Sequence, residues 1–296
     1  MTTLAAPSSL RMRLARRGFD GVTLLVLPAA LFLVALFVYP FLHGLVTSFQ
    51  PKEGGWLANY QRFFSEPFLY GTIGKTLAVA VPATLINLLI SVPIAMRVRL
   101  MRRQRLLTAI LVLPITLGTV LVAEGLLNYL GPQGWLNRTL ITFGLVSSPI
   151  RLVHNYWGVL LGLFITGFPF TFLLTLSYLS GIDPNLERAA ATLGAKPAAR
   201  FRHIFLPLLA SGLAIAFCLT FVQMFSVFPT AVLLGEPAGA TRVISIAAYV
   251  AAYEEYNDSF ASAIAMIMGF VQLGIVAAIL ALRGLLYRGP AGGGKG

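Results

Sequence analysis

Few residues in this chain are spaced for chemistry. His43, His154 and His203 lie far apart in sequence and lack the spacing of metal ligands. Cys218 is the single cysteine and sits in an apolar stretch. That excludes a disulfide within the chain and a multi-cysteine metal site, and it reads as a small buried hydrophobe. There is no Gly-x-Ser-x-Gly turn, and no Gly-x-x-x-x-Gly-Lys-Ser/Thr loop to cradle nucleotide phosphates. Enzymatic catalysis, a resident metal and nucleotide binding by this chain are therefore not expected.

The remaining polar candidates are set in apolar surroundings. Glu124 is the only acidic residue deep within an apolar block. A carboxylate at membrane depth is expensive unless paired or wetted, so Glu124 either faces a path that attracts a cationic solute, bonds a neighbouring helix, or stays hydrated near the outer interface. Asn87, Asn128, Gln223 and Gln272 are uncharged candidates for the same path. Polar side chains also serve as bonds between helices, so both roles stay open for them.

The elements that must position these residues are membrane helices. Hydrophobic residues make up 57% of the 296 positions and charged residues 11%, whereas a soluble domain carries roughly 25% charge. Mean hydropathy is +0.83. Six apolar blocks run over Val22–Val46, Thr76–Met96, Leu107–Leu130, Tyr156–Ser180, Leu208–Leu234 and Ser259–Leu282. Each is long enough to cross about 30 Å of hydrocarbon as a helix. Unalternating blocks of this length can satisfy their backbone in lipid only as helices. The expected fold is an all-α membrane protein of one domain, residues 22–283, between tails 1–21 and 284–296, the latter flexible. The basic stretch Arg11–Arg17 before a long first block, with no small-residue cleavage site, reads as the flank of an uncleaved helix.

Sixteen of the 22 Lys and Arg fall in the N-terminal tail, in Arg97–Arg105, in Gly181–Pro207 and in the tail from Arg283. The other six are Lys52, Arg62, Lys75, Arg138, Arg151 and Arg242. Positive charge gathers on the cytoplasmic side, which predicts both termini inside. Because the basic residues lie in short stretches between apolar blocks, a net charge of +12 does not indicate nucleic acid. Prolines 28, 40, 82, 93, 114, 169 and 229 lie in or beside the blocks and should bend their helices. Arg242–Tyr256 reads as a short surface helix ending in Glu254-Glu255-Tyr256-Asn257-Asp258, where acidic groups either concentrate cations or are simply solvated. Trp56, Trp135 and Trp157 sit near predicted helix ends as interfacial anchors.

Between the fourth and fifth blocks, Gly181–Pro207 is too polar to span and too ordered for a loose loop. Asp183 or Asn185 can cap a helix, Pro184 suits its first position, and Glu187 complements the dipole in the first turn. Leu186, Ala189, Ala190 and Leu193 recur at helical spacing, Gly194 supplies a stop, and Lys196-Pro197 opens a second short helix. Pro207 is expected to mark re-entry into the membrane. Two small helices at an angle, with an Ala-rich face and basic surroundings, suit a docking role or a solvated connector.

This segment closely resembles the cytoplasmic signature of permeases in ATP-binding-cassette (ABC) importers of type I: Glu-Ala-Ala, three residues, Gly, nine residues, Ile-x-Leu-Pro. Ala189, Ala190, Gly194, Ile204, Leu206 and Pro207 fall at the family spacing. Arg188 stands where the family has glutamate, and Glu187 lies one residue earlier. Gly131-Pro-Gln-Gly-Trp-Leu-Asn137 resembles the turn after the third helix of these permeases. Phe228-Pro-Thr-Ala-Val-Leu-Leu-Gly-Glu236 is similar to the branch that imports polyamines, opines and phosphonates.

The resemblance implies an elbow that docks in a groove on a separate ATPase and transmits its closure to the membrane helices. It implies two ATP-binding subunits that carry ATP and Mg, a second permease expected to be a different chain, and a solute-binding protein, with no cofactor here. The acidic run after Arg242–Tyr256 could then receive that binding protein. A polyamine-like cargo is favoured; phosphonate, opine, iron, thiamine and sugar stay open, and a stand-alone carrier or channel is the rival.

Overall fold

The structure, a computed structural model, describes residues 21–286, with side chains described over 25–283. The two tails of the sequence reading lie essentially outside the described residues. All regular structure among the described residues is helical. Six helices are long and apolar enough to cross a membrane: Leu25–Ser48, Pro67–Val98, Gln104–Thr142, Tyr156–Ser180, Pro197–Phe225 and Asp258–Arg283. They are the first to sixth spans below.

The fourth span is the axis of the bundle and packs against the second, third and fifth. Small residues make this possible. A Cβ on Gly162 would collide with the side chains of Thr230 and Leu234, so only glycine lets those backbones approach. Thr171 and Thr220 share a 3.0 Å hydrogen bond between the fourth and fifth spans. In its most apolar stretch the fourth span is 56% buried, against 6% for the third and 0% for the first. The first span touches the bundle mainly through Tyr39–Ser48 against the sixth. Exposed apolar faces of this kind are met by lipid or by further subunits.

Helix ends and breaks differ from the sequence reading in ways that have physical causes. The second span starts at Pro67, nine residues before its apolar block: Pro67 suits a first helical position, and the turns interrupted by Gly71, Gly74 and Lys75 are helical too. The fifth block is not one helix. It ends at Phe225, and Pro229 opens a separate six-residue helix, Pro229–Leu234. Phe228, the residue before that proline, is pushed out of helical geometry at φ −133° and ψ −62°. The third span breaks at Gly118 (φ 74°, ψ 161°), one turn after Pro114.

Pro28, Pro82, Pro93 and Pro169 lie inside continuous helices, and Pro40 and Pro207 are accommodated without a break as well. Wide π-turns at Val34–Val38 and Phe201–Phe205 each end two residues before a proline, Pro40 and Pro207. Tyr39 N–H bonds Val34 O, and Leu206 N–H bonds Phe201 O. The widened turn makes room for the ring and for its missing donor. Pro207 is thus not a helix end: one helix runs from Pro197 to Phe225. The segment expected as a surface helix at Arg242–Tyr256 runs over Ile244–Glu254 and buries Ile244, Ile246, Ala247 and Ala251. Ile244 N–H donates to Thr76 Oγ1 at 2.9 Å, which draws this helix into the bundle.

Candidate docking elbow and polar face

The elbow begins at Asp183, whose carboxylate accepts from Asn185 N–H at 2.9 Å, with Pro184 at the first helical position. The helix Pro184–Thr192 ends at Gly194, held at φ +80°. Gly194 N–H bonds Ala191 O and Ala195 N–H bonds Ala190 O, both at 3.0 Å, the paired closure that requires a left-handed residue. No neighbouring atom lies within 4 Å of where a Gly194 Cβ would sit, so backbone geometry selects glycine here and crowding does not. The second limb, Pro197–Arg200, merges through the Phe201–Phe205 π-turn into the fifth span.

The first limb buries none of its residues. Leu193 projects at its tip, 87% exposed, with Leu186, Arg188 and Ala189 also exposed and Ala190 half-buried. Ile204 is half-buried, while Leu206 and Pro207 are exposed on the start of the fifth span. Glu187 turns the other way. Its Oε2 accepts from Arg99 Nη2 at 2.7 Å and its Oε1 from Arg200 Nη1 at 3.5 Å. Arg99 is at the end of the second span, its side chain only 11% exposed, and its guanidinium lies 4.6 Å over the ring of Phe205. Phe205 is buried with Ala95, Val98, Phe172, Leu176, Leu179 and Leu209. One carboxylate therefore ties the first limb to both the second limb and the second span. Arg99, Arg200 and Phe205 were not singled out from sequence, because a partner 88 residues away leaves no local signal.

The polar candidates at membrane depth divide. Glu124 is exposed on the third span, where Asn128 Nδ2 donates to its backbone oxygen at 3.0 Å and its Oε1 at 3.4 Å. Gln223 is exposed on the fifth span. Gln272 donates to Ser226 Oγ at 2.7 Å and Val222 O at 3.3 Å, fastening the sixth span to the end of the fifth. Asn87 is fully buried and donates to Ala83 O and Leu163 O, bridging the second and fourth spans. Among the described residues no cluster of His, Cys, Asp and Glu could hold a metal.

Residues 80–283 match the family described as binding-protein-dependent transport system inner membrane component. The chain belongs to this family of ABC importer permeases. Spermidine/putrescine transport system permease protein PotB of Haemophilus influenzae is 30% identical over 233 residues, 76% of this chain and 80% of that protein. Sulfate transport system permease protein CysT of Salmonella typhimurium is 27% identical over 256 residues, 86% of this chain and 89% of that one. In a bacterial alginate ABC transporter, solved in complex with alginate pentasaccharide-bound periplasmic protein, one chain superposes with a TM-score of 0.79. At 19% identity it covers 94% of this permease and 98% of its own length, which establishes the fold. The permease is a multi-pass inner-membrane transport subunit.

At the end of this permease away from the elbow, the turn between Leu130 and Trp135 within the third span is organised by Asn137, which is fully buried. Its Nδ2 donates to Leu130 O, Gly131 O and Ile150 O, and its Oδ1 accepts from Ile150 N–H at 2.8 Å. One side chain thereby satisfies the backbone of two loop segments that would otherwise be buried unpaired. Trp56, Trp135 and Trp157 are each more than 60% exposed at this end, as interfacial indoles are.

Proposed function

We propose that this permease forms half of the translocation pore of an importer for a polyamine-like cation, with the Gly181–Pro207 elbow inside the cell and both termini on that side. The elbow receives one of two ATPase subunits, which carry the ATP and Mg. A second permease, a different chain, completes the pore, and a solute-binding protein delivers cargo from outside. The observation that carries the docking role is the first limb itself, which buries nothing, presents Leu193 and Arg188 outward, and is tied to the membrane helices through Glu187. A lever so held passes a push on its tip to the second and fifth spans.

The cargo class is supported by the spermidine/putrescine relative and by Glu124. An exposed carboxylate on a membrane span is tolerated against water or a partner and not against lipid. That argues for a Glu124–Asn128 face turned to the pore between the two permeases. The sulfate relative, which aligns with more of the chain, favours an anion as second reading. Proteoliposomes holding the complete importer and its binding protein decide between them. ATP-dependent uptake of labelled spermidine is expected, falling about tenfold or more in kcat/KM for Glu124→Gln, a loss of about 1.4 kcal/mol. Uptake of sulfate and not spermidine would refute the cation reading.

A further inference from the structure

Opposite the elbow end, a cavity of about 460 Å³ opens between the break after the fifth span, the Ile244–Glu254 helix and the start of the sixth span. We propose that this cavity is a binding site for an organic ammonium cation, through which cargo passes on the outer side of the permease. The cavity belongs to this chain alone. The polyamine identity of its occupant rests on the reading above.

Three aromatic rings line it in series. Phe228 and Tyr249 lie 5.0 Å apart between ring centroids, and Tyr249 and Tyr253 4.9 Å. Ring faces attract ammonium groups through their quadrupoles, and a row of rings also covers the methylenes between two such groups. Asp258 lines the same cavity, and among the described residues it enters no ion pair. No Lys or Arg lines it. Four of the six cations of this end are engaged elsewhere: Lys52 with Tyr256 O, Arg62 with Glu66 and Glu255, Lys75 with Gly239 O, and Arg242 over the ring of Phe68. A carboxylate left without a counter-ion beside three rings in a tilted row selects a cation with apolar surface. It disfavours sulfate or a simple sugar.

The backbone beneath the rings is unusual independently of this. Tyr253 sits in a π-turn, Val250–Glu254, closed by Glu255 N–H on Val250 O. Tyr256 is one of two non-glycine residues at positive φ among those described, at +50°. Lys52 Nζ holds its carbonyl at 2.7 Å, and Asn257 N–H bonds Ala251 O at 2.9 Å. Both departures carry a conformational cost and are kept where a side chain must be aimed. The π-turn carries Tyr253, and the strained Tyr256 lies two residues before Asp258.

The test is equilibrium binding of tritiated spermidine to the purified importer complex in nanodiscs, without its binding protein, at low salt. Saturable binding is expected. Tyr253→Leu and Asp258→Asn should each weaken it about tenfold, and Tyr253→Phe, which keeps the ring, should leave it unchanged. Tyr253 is 67% exposed, so its variants keep the fold. No saturable binding by the wild type, or unchanged binding by both Tyr253→Leu and Asp258→Asn, overturns the site. Binding that disappears as predicted in a complex that takes up no spermidine supports the site and refutes the polyamine cargo.

Discussion

At the elbow end, the helix Pro184–Thr192 buries none of its residues, and its Glu187 carboxylate is held by Arg99 and Arg200. At the opposite end the chain is cross-linked over long stretches of sequence. Lys52 bonds Tyr256 across 204 residues, Arg62 bonds Glu255 across 193, Ile244 bonds Thr76 across 168 and Lys75 bonds Gly239 across 164. Asn137 adds four bonds inside one turn. Local stability follows the density of buried contacts and internal hydrogen bonds. The opposite end is therefore the more heavily cross-linked of the two, and the proposed docking role would use it as a frame and the elbow as a lever.

The comparison breaks first at Asn137. Asn137→Leu removes four hydrogen bonds and leaves Ile150 N–H and the carbonyls of Leu130, Gly131 and Ile150 without that partner around a fully buried side chain. A loss of about 2–4 kcal/mol is expected. It should be read as a lower melting temperature of the purified permease, with earlier hydrogen exchange in residues 131–150. A variant that melts with the wild type would remove the basis for treating this end as the frame.

A smaller effect on stability and a larger one on work are expected at the lever's root. Glu187→Gln deprives Arg99 and Arg200 of their counter-charge; two part-buried, charge-assisted bonds of this kind contribute on the order of 1–3 kcal/mol locally. Because the first limb buries none of its residues, global melting should shift little. ATP hydrolysis by the reconstituted importer should persist while solute moved per ATP falls. Reversing the pair, Glu187→Arg with Arg99→Glu, should recover part of that coupling, whereas Arg99→Glu alone should not. Full coupling in Glu187→Gln would show that the push travels through the backbone of Lys196–Leu206 alone.

The same contrast explains which features were legible in the sequence. Existence and order of the spans depend on hydropathy over some twenty residues, which no tertiary contact overrides, and all six emerged. Asp183, Pro184, Glu187 and Gly194 act within one or two turns of their own position, so local chemistry displays them. Hydropathy does not see backbone direction. Ser226–Phe228 is apolar enough to pass as helix, yet the chain turns there to meet Pro229, and Gly118 breaks the third span without any change in polarity. The buried face of Ile244–Glu254 was missed because its partners are distant in sequence: Thr76 in the second span and Val227 in the break after the fifth. The Glu187–Arg99 pair was hidden for the same reason.

The finest test of the comparison is at Arg188, where the family signature has glutamate. Successive residues on a helix point about 100° apart, so moving the acid from 188 to 187 swings it from the exposed face to the bundle side. Glu187 is thereby occupied by Arg99 and Arg200, and the outward face carries Arg188 as its charge. An exposed side chain of this kind affects stability by less than about 0.5 kcal/mol, so Arg188→Glu should melt with the wild type. If the elbow docks through this face, its partner groove is matched to a positive charge. The reversal should then weaken capture of the ATPase subunit most at low ionic strength, with the difference shrinking as salt screens it. Capture by Arg188→Ala should lie between the two. Equal capture by all three at every salt concentration would place docking on Leu193 and the alanine face alone, with charge playing no part in choosing the partner.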